Sequence, residues 1–108
     1  MSYKVKTLPQ FEKEAKKLSK RYHSFKKEIQ QLAASLALEP TQGTPLGNNC
    51  YKIRMSITSK GKGKSGGARV VTNIQVVGGT VYLLSVYDKS DKENISNKEI
   101  AYLLSMIE

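Results

Sequence analysis

The chemistry that this chain can support depends on a run of cations without acids in the middle of the sequence. Residues 50–69 contain six lysines and arginines, and neither Asp nor Glu occurs from residue 40 to residue 87. Three of the six lie in a glycine-rich segment, residues 60–67, which we call the basic loop. Clustered cations attract polyanions, so the stretch predicts a phosphate-rich partner, with RNA as the first candidate. The six cations are Lys52, Arg54, Lys60, Lys62, Lys64 and Arg69.

Four cations can converge on one surface. Lys52 and Arg54 alternate along a predicted strand and share one of its faces, while Arg69 and Lys89 can approach that face from the next two strands. Neighbouring cations make a lysine give up its proton more readily, so it can act as a general base. An arginine can stabilise a phosphate in its transition state, and RNA supplies its own nucleophile, the 2′-hydroxyl. The cluster could therefore cleave RNA or only bind it, and composition does not decide between the two.

Other kinds of site are disfavoured by what the chain lacks. It has one cysteine, Cys50, and one histidine, His23, so it can form neither an internal disulfide nor a Cys/His metal site. We expect no metal and no cofactor. His23 lies in the break between two predicted helices, which disfavours a Ser-His-Asp arrangement. Gly63-Lys64-Ser65 matches the end of a P-loop, but Thr58 stands where the first glycine belongs and a strand follows instead of a helix.

The elements before the basic stretch are a short strand and two helices. Residues 3–6 alternate as an edge strand does, with lysines that protect the edge. Apolar residues then recur every three or four positions in residues 11–22 and 29–36, which predicts a helical hairpin. Thr7 and Gln10 are spaced as a capping box for the first helix. The composition of residues 40–49 predicts a loop.

Three further strands and a last helix follow. Residues 51–58 alternate apolar and polar, residues 69–77 form the next strand, and residues 80–87 are apolar on both faces, as an interior strand is. Gly78-Gly79 predicts a two-residue hairpin turn, and Ser96 with Glu99 predicts a capping box for the last helix. The order β-α-α-β-β-β-α indicates an α+β domain with an antiparallel sheet packed against the helical hairpin.

The length of 108 residues indicates a single domain, 1–108, and the net charge is +9. No apolar run approaches the roughly 18 residues that a membrane-spanning helix needs. The first residues lack the apolar core and the small-residue cleavage site of a signal peptide. We therefore expect a cytoplasmic protein that does not bind membranes.

Several segments together have the pattern of a known family. The most specific is the basic loop with the arginine that follows it, Lys60-Gly-Lys-Gly-Lys-Ser-Gly-Gly-Ala-Arg69. The others are Phe11-x3-Ala15-x2-Leu18, residues 40–46, Tyr51-Lys-Ile-Arg54 and Tyr82-Leu-Leu-Ser-Val-Tyr-Asp-Lys89. On these segments the chain resembles the RelE/ParE superfamily of type II toxins, and within it the HigB-like branch.

The resemblance implies a fold, an activity and a set of partners. The fold would be a small twisted antiparallel sheet backed by a helical hairpin. The activity would be metal-independent cleavage of mRNA in the ribosomal A site. The partners would be the ribosome, the mRNA and a cognate antitoxin that neutralises the toxin. Operator DNA would be contacted only through the antitoxin.

The resemblance also divides the cations into two groups. One group matches the family's catalytic positions, with Lys89 where RelE-like members have an arginine, and the other would hold the rRNA or mRNA backbone. RelE-like members carry a catalytic tyrosine further along, where this chain has Ile95 by simple count, although Tyr87 is close in sequence. The general acid and base are therefore not assigned. The catalytic candidates are Lys52, Arg54, Arg69 and Lys89, and the RNA-binding candidates are Lys60, Lys62 and Lys64.

Two other functions fit the same domain. A ParE-like inhibitor of DNA gyrase would bind its target protein without nuclease activity, but that branch typically lacks the basic strand pair and the three-lysine loop. A non-catalytic RNA-binding module would keep the charges and need no reactive lysine. The cationic stretch favours an RNA target over gyrase.

Overall fold

The computed structural model describes residues 2–61 and 63–107 and contains, over those ranges, three α-helices and five strands. The α+β class is confirmed, with the helical hairpin and the last helix where the sequence predicts them. In chain order the elements are β1 (Lys4–Thr7), α1 (Pro9–Arg21), α2 (Phe25–Leu38), β2 (Thr44–Gly47), β3 (Cys50–Met55), a 3₁₀ turn (Thr58–Lys60), β4 (Ala68–Gln75), β5 (Thr80–Asp88) and α3 (Asn97–Leu104).

The sheet differs from the expected one at both edges. Its strand order is β1-β5-β4-β3-β2, and β2 lies inside the segment that we predicted to be a loop. This strand contains Pro45 and Gly47 and pairs only with β3, across an irregularity in register, so it has no alternating pattern to detect. The pairs from β2 to β5 are antiparallel, but β1 runs parallel to β5. The prediction of a wholly antiparallel sheet is therefore wrong for this one pair.

Two local predictions about turns and caps are also wrong. Leu8, not Thr7, is the N-cap of α1, and it makes no side-chain capping bond. The Thr7 hydroxyl instead donates to Glu12 Oε2 at 3.1 Å. The β4–β5 turn has four residues, 76–79, and its Gly78 and Gly79 have φ of 95° and 62°. The Ser96–Glu99 capping box of α3 is confirmed.

The sheet has a different layer on each of its faces. The hairpin of α1 and α2 packs on one, which we call the hairpin face, where Phe25 and Leu36 are fully buried with Val70 from β4. Helix α3 covers part of the other, the α3 face, with Ile100 and Leu103. Strand β5 has a sheet neighbour on each side, so the prediction of an interior strand is confirmed. In the ranges described, no helix is both long and apolar enough to cross a membrane.

Candidate functional site

The four catalytic candidates line a single open cleft of about 370 Å³ at one end of the sheet. We call it the cationic cleft. Two of its residues come from β3, one from β4, one directly follows β5, and others come from β2 and from the segment before α3. Among the described residues its lining is Thr44, Lys52, Arg54, Arg69, Lys89, Glu93 and Asn94.

Strand register brings these cations together. Arg54 on β3 is paired directly with Arg69 on β4, and Arg69 is paired with Tyr87 on β5. Directly paired residues point to the same side of a sheet, so both arginines lie on the α3 face, and Lys52 lies two residues from Arg54 on that face. Lys89 follows the end of β5, and its backbone N–H donates to the carbonyl of Gly67 at 3.0 Å. The predicted convergence is thus observed.

Polar partners orient the two lysines of the cleft. Lys52 Nζ donates to Asn94 Oδ1 at 3.2 Å, and Lys89 Nζ lies 3.5 Å from Glu93 Oε1. Glu93 is the one acid among the described lining residues, and its side chain is largely exposed. Because solvent screens such an exposed pair, the cleft keeps its cationic character.

Arg54 and Arg69 differ in solvent exposure and in the number of hydrogen bonds that their guanidinium groups make. Arg54 is exposed, and among the described residues its guanidinium has no hydrogen-bond acceptor. Arg69 is only 3% exposed. Its Nη1 donates to the carbonyls of Lys64 at 2.9 Å and Ala68 at 3.1 Å, and its Nη2 donates to that of Ser65 at 3.2 Å. Arg69 therefore supplies charge to the cleft and also holds the basic loop against β4.

The basic loop does not present its lysines in the same way. Lys64 is exposed, as the phosphate-binding prediction requires. Lys62 lies outside the described residues. The Lys60 side chain is only 9% exposed, and its Nζ donates to Asp88 Oδ1 at 2.5 Å and to Ser90 Oγ at 2.6 Å. The Lys60 ammonium is thus engaged inside the protein.

The Asp88 carboxylate is the centre of a buried polar cluster on the hairpin face, because Asp88 is paired with Ala68, which packs in that core. Its oxygens accept from Lys60, from the Tyr22 hydroxyl at 2.6 Å and from the Ser90 N–H at 2.9 Å. Burial by itself would raise the pKa of Asp88. The three hydrogen bonds outweigh it and lower that pKa to about 2. Asp88 is therefore ionised at neutral pH.

The position of the expected catalytic tyrosine is occupied by an apolar residue. Ile95 packs beside the α3-face core, and no tyrosine appears among the described lining residues of the cleft. Tyr87 lies next to Arg69 in the sheet, but it is buried, and burial raises the pKa of its hydroxyl. Cys50 is also buried, away from the cleft lining, and burial raises the pKa of its thiol.

Sequence reasoning missed two residues of the cleft, Thr44 and Asn94, and it placed Glu93 only at the end of the sheet. Thr44 belongs to the strand that lacks an alternating pattern. Glu93 and Asn94 lie in the irregular segment between β5 and α3. Spacing cannot place the residues of an irregular segment, and only the acidic residues just after β5 indicated that this segment borders the end of the sheet. Asn94 is the more informative of the two, because it orients Lys52.

Comparison with known families decides what kind of protein contains this cleft. Residues 3–107 match the family described as "RelE toxin of RelE / RelB toxin-antitoxin system". The chain belongs to the RelE toxin family. It is therefore a toxin of a toxin–antitoxin system, and its RelE/ParE resemblance is confirmed. Assignment to the HigB-like branch stays a prediction.

The fold of this RelE-family toxin is shared with solved structures. Ten chains of solved structures match it. One is the E. coli toxin RelE in the free state, with two arginines replaced by alanine, at 17% identity and a TM-score of 0.66, and the match covers 100% of both chains. At this identity the similarity shows a common fold alone. No curated protein sequence gives a significant match.

Proposed function

We propose that this RelE-family toxin is a ribosome-dependent endoribonuclease of the HigB-like branch, which cleaves mRNA in the ribosomal A site and so stops translation in the cytoplasm. The observation that supports the proposal is the geometry of the cationic cleft. Lys52 and Arg54 on β3, Arg69 on β4 and Lys89 just after β5 meet in one open space. A site that only had to attract RNA would need the charge but not this convergence around a space large enough for a phosphodiester.

In the proposed reaction the substrate supplies the nucleophile. The 2′-hydroxyl oxygen attacks the adjacent phosphorus, its proton passes to the side chain that acts as the base, and the bond from phosphorus to the 5′-oxygen breaks. The 5′-oxygen takes a proton from a protonated lysine, which leaves a 2′,3′-cyclic phosphate and a 5′-hydroxyl. Lys52 and Lys89 are the two lysines of the cleft, so we assign the base and the acid to this pair.

The arginines have a separate role in this reaction. Negative charge grows on the non-bridging phosphate oxygens as the nucleophile adds, and fixed cations stabilise that charge without reorganising. The exposed Arg54 can move to contact the phosphate. Arg69, held by three carbonyls, contributes a charge whose position is set before the substrate arrives. These cations can stabilise the transition state without a metal ion, so we propose a metal-independent enzyme.

The proposed partners follow from the charges. Lys64 is exposed beside Arg54, since both line a second depression next to the cleft, and it can contact the phosphate backbone of rRNA or mRNA. Lys62 stays a candidate for the same contact. A cognate antitoxin would neutralise the toxin by covering this cationic surface with acidic side chains. Contact with operator DNA would then occur only through the antitoxin.

The test is to map the 5′ ends of cellular mRNA after the chain is expressed without an antitoxin. We expect new ends within translated frames, and Arg54→Ala should lower the cleavage rate about 10²–10³-fold, as loss of a transition-state donor does. Lys98→Ala is the matched control, because Lys98 is exposed on α3 and outside the cleft.

The alternative of a ParE-like gyrase inhibitor gives a different result. Intact mRNA with accumulating DNA breaks would overturn the nuclease proposal in favour of gyrase inhibition. Intact mRNA, no DNA breaks and tight ribosome binding would indicate a non-catalytic RNA-binding module. The cationic cleft favours the nuclease over both, because neither alternative needs two lysines and two arginines around one space.

A further inference from the structure

The Asp88 carboxylate has no part in the proposed chemistry, yet it is among the most completely enclosed polar groups in the described chain. Its side chain is 0% exposed and lies on the hairpin face, on the opposite side of the sheet from the cationic cleft. Every donor that it accepts from lies within 2.9 Å. A carboxylate removed from water needs such hydrogen-bond donors, and each donor is in turn held in place by Asp88.

The polar groups around Asp88 come from two other parts of the fold, the end of α1 and the start of the basic loop. Tyr22 follows α1, Lys60 begins the basic loop, and Arg21 lies 3.7 Å away, where it pairs mainly with the exposed Asp91. Because hydrogen bonds lower the pKa of Asp88 to about 2, its carboxylate stays charged over the physiological pH range and keeps its need for these donors.

Residues 88 and 89 bind both ends of the basic loop. At the start of the loop, Lys60 donates to the Asp88 carboxylate. At its end, the carbonyl of Gly67 accepts from the backbone N–H of Lys89, which is itself a cleft residue. Between these two points Arg69 holds the carbonyls of Lys64 and Ser65. The loop is thus tied to the strand end that carries one of the catalytic candidates.

We propose that Asp88 is a positioning residue that sets the place of the basic loop relative to the cationic cleft, acting through Lys60 and Lys89. Lys60 is then an internal anchor and does not contact phosphate, which differs from the role predicted for it from the sequence. The effect on cleavage rests on the proposed function. The effect on the loop does not, because it concerns contacts that exist in the free protein.

The first test separates an anchor from a phosphate contact by ribosome binding and cleavage. We expect Asp88→Asn and Lys60→Met each to lower the single-turnover cleavage rate at saturating ribosome about tenfold, as small displacements of reacting groups do. Ribosome affinity should change less than about threefold, and its salt dependence should keep its slope, because no phosphate contact is lost. The double variant should be no slower than the slower single variant. Asp91→Asn, which alters only an exposed neighbour, is the control and should match the wild type.

Opposite results would overturn the proposal. A slope reduced by about one unit in Lys60→Met would show that Lys60 binds phosphate, and additive losses in the double variant would show that the two residues act separately. Losses of affinity equal to the losses of rate would indicate general damage to the structure. Thermal unfolding of each variant establishes that it is folded at the assay temperature.

A second measurement does not depend on catalysis. Tyr22→Phe removes one 2.6 Å hydrogen bond to Asp88 and keeps the ring, so this variant should fold even if Asp88→Asn does not. We expect amide hydrogen exchange to become faster at Lys89 and Ser90, whose N–H groups donate to Gly67 and Asp88, and to stay unchanged in α3. Unchanged exchange at Lys89 and Ser90 would overturn the proposal. Faster exchange in a protein whose wild type does not cleave mRNA would support the anchor and refute the nuclease function.

Discussion

The stability of the protein should fall in acid by an amount that the environment of Asp88 determines. Hydrogen bonds lower the pKa of Asp88 from 3.8 to about 2 in the folded protein. The folded state therefore binds the Asp88 proton less readily than the unfolded state. A lowered carboxyl pKa contributes stability that is complete above the unfolded value, near pH 4, and is lost as the pH falls toward 2. At about 1.4 kcal/mol per unit of pKa, the contribution is about 2 kcal/mol.

The measurement is the free energy of unfolding from urea titrations between pH 7 and pH 2.5. Other carboxyl groups also titrate in this range, so the reference is a double variant, Asp88→Asn with Lys60→Met, which lacks both buried charges and keeps the rest of the chain. The wild-type value minus the reference value should be constant from pH 7 to pH 5. It should then decrease by about 1.6 kcal/mol by pH 2.5, because the full contribution is lost only once the pH falls below the folded pKa of Asp88, about 2.

The reasoning fails if that difference is flat between pH 5 and pH 2.5. A flat difference would mean that Asp88 has the same pKa in the folded and unfolded states, and hence that the hydrogen bonds from Lys60 and Tyr22 only offset the cost of burial. A difference that increases in acid would reverse the sign. In that case burial would outweigh the hydrogen bonds, and Asp88 would be protonated more readily in the folded protein.

Two further predictions concern Arg69 and Gly67. Arg69→Lys keeps the charge but loses the guanidinium hydrogen bonds to the loop carbonyls, so the free energy of unfolding should fall by about 1–3 kcal/mol. The control, Arg54→Lys, lies at an exposed position and should change the free energy of unfolding by less than about 0.5 kcal/mol. Equal effects of the two variants in urea titrations would contradict the anchoring role of Arg69. Gly67→Ala should lower the free energy of unfolding by at least about 2 kcal/mol, because the added Cβ would overlap the Met55 carbonyl and lie 2.9 Å from Ser56 Cα. The control, Gly79→Ala, adds a Cβ in open space and should lower the free energy of unfolding by only about 1 kcal/mol, because of its positive φ. A smaller loss of stability at Gly67 than at Gly79 would refute the close approach of the backbone at Gly67.

The fold was predictable from sequence wherever a periodic pattern or a local cap was sufficient. Helices α1 and α2 bury one apolar stripe each, β5 is apolar on both sides, and the Ser96–Glu99 box starts α3 as expected. The errors fall where partners are distant in the chain. Strand β2 exists because β3 offers a free edge, and the direction of β1 depends on how the helical hairpin returns the chain to the sheet.

Residue types and spacing alone predicted a cluster of cations on one face of adjacent strands, and from it a phosphate-rich partner. Alternation along β3 put Lys52 and Arg54 on the same side, and that required no tertiary information. Tertiary structure decided which cations are free. Lys64 is exposed, whereas Lys60 is bound to Asp88 on the far side of the sheet. The cost of burying a carboxylate demands a cation as partner, and only the position of the 3₁₀ turn (Thr58–Lys60) beside the end of β5 shows which lysine contacts it.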